Sequence, residues 1–227
     1  MLKNDLIFRN PLRAMGNESD ILPEGGFGAV LARAGLGKTA ILVQLALDSL
    51  LQNKNVLHIS LGDPVKKVCL WYEEVFRNIA KLYDVKQIDQ LWEAIQPHRL
   101  IMTFNVDVFS APKLEERLTD LMEQNIFFPK IILIDGLLFD NAVRESLTDL
   151  KSLAQNHSMS VWFTVRTHRH EQPGYDKMPP VFSDVADLFE VIFRLNPEGK
   201  KIHLEALKGW KSDAALSLDP STMLITD

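Results

Sequence analysis

Short, continuous apolar runs alternate with helical stripes along most of this chain. Phe27-Gly28-Ala29-Val30-Leu31 has the unbroken hydrophobicity of a strand covered on both faces. Thr39 to Leu47 carries apolar residues at the spacing of a packed helix. The alternation continues with a strand at Asn55 to Leu61, helical segments over Pro64 to Tyr83 and Val85 to Ile95, and a strand at Arg99 to Asn105. A helix at Pro112 to Asn125, a buried strand at Lys130 to Asp135, a helix at Val143 to Asn156 and a strand at Ser160 to Val165 follow. Such a series predicts an α/β fold whose mostly parallel central sheet has helices on both faces. The tail breaks the pattern. Phe189 to Leu195 and Lys201 to Lys208 flank Asn196-Pro197-Glu198-Gly199-Lys200, a hairpin signal, and Ala214 to Leu218 with Thr222 to Ile225 form a second around Asp219-Pro220. An antiparallel C-terminal hairpin at one sheet edge is therefore expected.

Composition narrows the class. With 227 residues, 46% of them hydrophobic and 24% charged, the chain matches an ordinary globular protein with one substantial core. No linker-like stretch divides it, so one domain is expected: a lead-in over 1–22, a core over 23–211 and an extension over 212–227. A formal charge of -5 supplies no global field for nucleic acid, and DNA contact would need a local basic patch. The single cysteine, Cys69, excludes an internal disulfide framework and a thiolate zinc cluster, and a reducing cytoplasm is the natural setting. Cys69 itself reads as a small buried apolar residue. No uncharged apolar run approaches the roughly 20 residues of a membrane helix, and Met1 to Asp5 opens no signal-peptide core.

Between the first strand and the first long helix stands Ala32-Arg33-Ala34-Gly35-Leu36-Gly37-Lys38-Thr39, which nearly reproduces the phosphate-binding pattern G-x-x-x-x-G-K-[ST]. Gly35 and Gly37 can take the positive φ angles that turn successive amides inward, and the helix N-terminus adds its partial positive charge. Lys38 then reaches the β and γ phosphates, and the Thr39 hydroxyl takes one position on magnesium. The expected nucleotide contacts are Arg33, Ala34, Gly35, Leu36, Gly37, Lys38, Thr39 and Ala40. Ala32 replaces the usual first glycine outside that cradle. Ile131-Ile132-Leu133-Ile134-Asp135 is an apolar strand ending in a carboxylate, which suits a second magnesium ligand at Asp135. The blander alternatives are a Gly-rich strand-to-helix turn with an exposed lysine, and an aspartate capping a turn with Gly136.

Together these segments resemble the RecA-like branch of P-loop NTPases, with the loop as Walker A and Asp135 as Walker B. Leu22-Pro23-Glu24-Gly25-Gly26 is similar to the lead-in of KaiC-like and RadA-like proteins, Asn55 to Leu61 to their second strand, and Phe163 to Arg169 to the strand and loop of relatives such as DnaB. Val185-Ala186-Asp187-Leu188 through Leu207-Lys208 is similar to their closing Ala-Asp strand and hairpin. The resemblance spans Leu22 to Trp210. It implies a RecA-like three-layer sandwich that binds ATP and Mg2+ and assembles into rings or filaments.

The departures bear on activity. Where hydrolysing relatives place a water-orienting glutamate, this chain has Gly62, followed by Asp63. Asp63 is the candidate catalytic carboxylate beside Lys38, and Asp63-Pro64 reads equally as the start of a helix. Arg166 stands where relatives carry a γ-phosphate-sensing glutamine. With His168, Arg169, His170, Tyr175 and Lys177 it marks a partner loop, or a solvated surface loop, extending to Pro180. Lys208 and Lys211 align with an element that relatives insert into a neighbouring subunit, although Trp210 replaces its arginine and a plain hairpin terminus explains the same residues. Trp71, Tyr72, Phe76 and Trp92 fall at core or subunit-interface spacing, and the histidines offer no zinc set. The expected function is a nucleotide-gated switch with slow Mg-dependent ATP hydrolysis. The alternatives are a non-hydrolysing scaffold and, last, a small-molecule kinase. A homo-oligomer is expected; a protein partner and DNA stay open.

Overall fold

The computed structural model describes residues 3–14, 21–140, 143–167, 178–209 and 216–226. Its centre is a nine-stranded sheet in the order β3-β2-β4-β5-β1-β6-β7-β8-β9. The strands are β1 (Phe27–Ala32), β2 (Val56–Ser60), β3 (Arg99–Thr103), β4 (Ile131–Asp135), β5 (Ser160–Arg166), β6 (Val191–Glu198), β7 (Lys201–Lys208), β8 (Leu216–Leu218) and β9 (Ile225–Thr226). β1 to β6 pair in parallel, and β7, β8 and β9 add antiparallel strands beyond β6. β1 and β2 are buried at every residue, as their unbroken apolar runs require.

Helices α1 (Lys3–Phe8), α2 (Pro11–Ala14), α3 (Lys38–Leu51), α4 (Val65–Leu82) and α5 (Ile88–Ile95) lie on one side of the sheet. There Ile41, Leu42, Val68, Tyr72 and Phe76 pack with Val30, Leu133 and Trp162. Helices α6 (Ala111–Glu123) and α7 (Val143–Asn156), with the short α8 (Pro180–Ser183), share the other core, in which Leu114, Leu118, Leu147 and Leu150 meet Leu31, Ile134 and Phe163. The expected parallel sheet covered on both faces, with an antiparallel edge, is the observed architecture. No helix among the described residues is long and apolar enough to cross a membrane.

Three local readings change. β6 runs through Asn196, Pro197 and Glu198, which composition marks as loop, and the reversal occurs only at Gly199 (φ 62) and Lys200. β1 accompanies β6 only as far as Arg194, so Pro197 extends beyond its neighbour, where a missing N–H breaks no ladder with β1. Val185 to Leu188, read as a strand, contains a 3-10 turn at Ala186–Leu188 ahead of β6. α1 and α2 were unforeseen. They cover α3, which is buried continuously from Ala40 to Leu51 and so needs partners on all sides. Asp48 on α3 anchors them by accepting from Arg13 Nε at 2.7 Å, Arg13 Nη2 at 2.9 Å and Asn10 Nδ2 at 2.9 Å.

Candidate functional site

The first turn of α3 lies against the end of β1, and the connecting loop makes a pocket of backbone. Gly35 has φ 78, and Gly37 caps α3 with φ 91 and ψ 21. No side chain caps this helix start, so its leading amides keep their donors for an anion. Arg33, Ala34 and Gly35 are exposed, Leu36 to Thr39 are half-buried, and Ala40 is buried. Lys38 folds back over the loop, where Nζ donates to the carbonyls of Ala32 at 3.0 Å and Arg33 at 2.9 Å. Burial pulls its pKa below the ordinary lysine range; Asp135 opposes that shift and Arg166 adds to it.

Two strands and the start of α3 deliver hydroxyl and carboxylate oxygens to one point. Thr39 Oγ1 donates to Asp135 Oδ2 at 2.7 Å, and Thr164 Oγ1 donates to Asp135 Oδ1 at 2.6 Å. The Thr164 hydroxyl also accepts from the Gly136 amide at 3.0 Å. Thr164 escaped the sequence reading. Its signal was a lone polar residue inside Val161 to Val165, one strand from Asp135 in a parallel sheet.

This donor set suits magnesium. One carboxylate and one hydroxyl leave most of an octahedral shell to water and phosphate oxygens, as is usual for that ion. Among the described residues no group of three or more His, Cys, Asp or Glu side chains forms an all-protein cage.

The other candidates divide. Asp63 sits after β2, but its carboxylate pairs with Lys67 Nζ at 2.9 Å, its amide donates to Ser60 Oγ at 3.0 Å, and Ser60 Oγ donates to its carbonyl at 2.8 Å. The helix boundary falls one residue later than Asp63-Pro64 suggested, with Pro64 as the cap of α4. Gly62 lies beside Gly136, and a β-carbon built on it would meet nothing within 4 Å. Arg166 ends β5 opposite Ala32, close enough to Lys38 to affect its charge. His168, Arg169, His170, Tyr175 and Lys177 lie outside the described residues, as do Trp210 and Lys211. Lys208 does not join the site. By register it is level with Ala29, roughly 10 Å down the strand from Ala32 and two strands across, and its Nζ donates to Ala186 O at 2.9 Å.

Two further features surround the loop. The C-terminal strands brace it: a β-carbon on Gly37 would stand 2.5 Å from Leu218 Cδ2 and 3.4 Å from Met223 Sδ. Gln44 on α3 fixes that segment by donating to Met223 O at 2.9 Å and accepting from Ile225 N at 2.9 Å. Beneath Ser60 on β2, His58 is fully buried with Nδ1 3.1 Å from the Tyr72 hydroxyl, and its Nε2 has no hydrogen-bond partner. Burial, reinforced by Arg99 and opposed by Asp135, lowers the His58 pKa to about 4.

No family model matches this sequence, and no curated protein matches it. Among solved structures it is similar to the ATPase domain of a DnaB-like helicase, with a TM-score of 0.64 over 90% of this chain and 85% of that one, at 15% identity. The chain has a RecA-like fold. At that identity the likeness concerns architecture, and that architecture places the phosphate-type loop after β1 and Asp135 at the tip of β4 on one end of the sheet.

Proposed function

We infer that this protein binds ATP with Mg2+ and acts as a nucleotide-gated switch whose own hydrolysis is slow. The observation that carries the reading is the 2.7 Å bond from Thr39 to Asp135, which unites a loop of left-handed glycines with a strand-end carboxylate. A triphosphate tail fits the open amides of residues 35–40, and Lys38 would exchange its two carbonyl partners for β and γ oxygens. Thr39 and Asp135 hold the metal, which supplies charge neutralisation at the phosphates. Arg166, whose position affects the charge on Lys38, reads the γ phosphate.

Slow turnover follows from what stands after β2. A carboxylate that orients water must be free to accept its proton, and Asp63 is committed to Lys67 at 2.9 Å while Gly62 carries no side chain. The same observation favours the second reading, a scaffold that retains nucleotide without turning it over. Lys208 can meet a nucleotide only in a neighbouring copy, so assembly would supply any finger in trans.

Calorimetry with ATP and Mg2+ tests the main reading. The parent chain is expected to bind and Lys38→Ala to lose binding; equal affinity of the two would remove Lys38 from the phosphate site. Phosphate release by the parent chain separates the switch from the scaffold.

A further inference from the structure

On the sheet face opposite α3, a groove runs between α6 and α7 and up to the tips of β3 and β4. Its lower hollow, of about 230 Å³, and its upper hollow, of about 300 Å³, meet at Ala111. The floor is apolar, with Ala111, Val143 and Leu153 each almost wholly buried, while Leu138 at 62% and Val108 at 49% exposure stand at the upper end. Large apolar side chains left in water beside a groove mark a contact surface.

The charge around this groove has one sign. Asp107, Glu115, Asp140 and Asp149 line it, and no lysine or arginine does. Asp107, Glu115 and Asp149 have no ion-pair partner among the described residues. The cations of α7 are engaged elsewhere: Arg144 grips Asp187 at 2.8 and 2.7 Å, and Lys151 holds Glu190 at 2.7 Å. An acidic rim over an apolar floor is the complement of a cationic amphipathic segment, whose apolar side chains anchor while its lysines or arginines steer and fix register.

We propose that the α6–α7 groove docks a basic amphipathic segment of a partner protein. Leu137, Leu138 and Asp140 of the upper hollow follow Asp135 directly in the chain, so the docking surface begins where the candidate nucleotide site ends. The proposal stands whether or not nucleotide binds.

The test is fluorescence anisotropy of the full chain with two labelled synthetic peptides, an amphipathic leucine–lysine helix and its leucine–glutamate counterpart. The cationic peptide should bind and the anionic one should not. Glu115→Gln with Asp149→Asn, both exposed positions, should weaken binding by about tenfold, as expected for removing rim charges that face a cationic partner. Glu74→Gln with Glu93→Gln, which removes the same charge from the opposite face, should leave affinity unchanged. Circular dichroism verifies that each variant folds. Absence of binding, or equal weakening by both double variants, would overturn the proposal and leave only diffuse attraction to an acidic chain. Sedimentation in which the groove variant dissociates an assembly of the parent would reassign the groove to a second copy of this chain.

Discussion

The contact between Leu218 and Gly37 makes a quantitative prediction about the C-terminal brace. Alanine at position 35 must adopt φ 78 but meets no atom within 4 Å, so its cost is that of left-handed backbone alone, about 1–2 kcal/mol. Alanine at position 37 bears the same backbone cost at φ 91, and its methyl group would lie 2.5 Å from Leu218 Cδ2. Relieving that overlap means moving the leucine by more than an ångström, and overpacking of this kind costs about 1–3 kcal/mol more. Gly37→Ala should therefore destabilise by about 2–5 kcal/mol. Leu218→Ala removes the obstructing methyl group, so Gly37→Ala made in that background should cost no more than Gly35→Ala. Urea unfolding of the four proteins in the cycle, followed by circular dichroism and compared at equal m-values, reads the coupling directly. If Gly37→Ala costs the same in both backgrounds to within about 0.5 kcal/mol, the C-terminal strand does not brace the loop. Both glycine changes turn the amides of the loop, and titration with a fluorescent ATP analogue should show weaker binding for each.

Three other perturbations have defined outcomes. Gly62→Glu places a carboxylate where there is room for it, beside Asp135, and should raise phosphate release by about 10²-fold; retained ATP affinity without faster release would mean that water positioning is not what limits turnover. Thr164→Val takes the donor from Asp135 Oδ1 and should weaken the Mg2+-dependent part of ATP binding by about tenfold, and an unchanged magnesium titration would reduce Thr164 to packing. His58, with its pKa lowered to about 4, binds its proton more readily unfolded than folded, so its contribution is fully present above about pH 6.5 and is lost as pH falls toward 4. That loss amounts to about 3 kcal/mol, visible as a falling urea midpoint between pH 7.5 and 4.5, and a histidine NMR titration centred near pH 6.5 for His58 would contradict it.

How much of this was legible in the sequence depends on the range over which each feature is decided. β1, β2, β4 and β5 are short apolar runs with local boundaries, and their periods identify them without knowledge of any partner. The loop from Arg33 to Thr39 is also local, since its glycines and its position before a helix are properties of adjacent residues. Pairing between Thr39 and Asp135, 96 positions apart, follows once a parallel sheet is assumed, because a strand-end carboxylate and a helix start then share one end of the sheet. Thr164 needs one fact more, that β4 and β5 are neighbours in a register that sets Ile134 against Phe163.

The features that escaped are those whose meaning lies in a distant contact. Nothing within Lys3 to Ala14 announces that Asp48 will hold it, and Leu216 to Thr226 reads as a weak hairpin until Gln44 and Gly37 give it a place. Yet α3 carried a sign of both. A helix apolar on all sides cannot face water on any of them, so Ala40 to Leu51 required covering elements beyond the sheet and α4, and only the ends of the core remained to provide them. The brace on Gly37 is thus a consequence of how thoroughly the helix that begins at the phosphate-type loop is buried, and a substitution that loosens that cover should be felt at the loop before it is felt in the sheet.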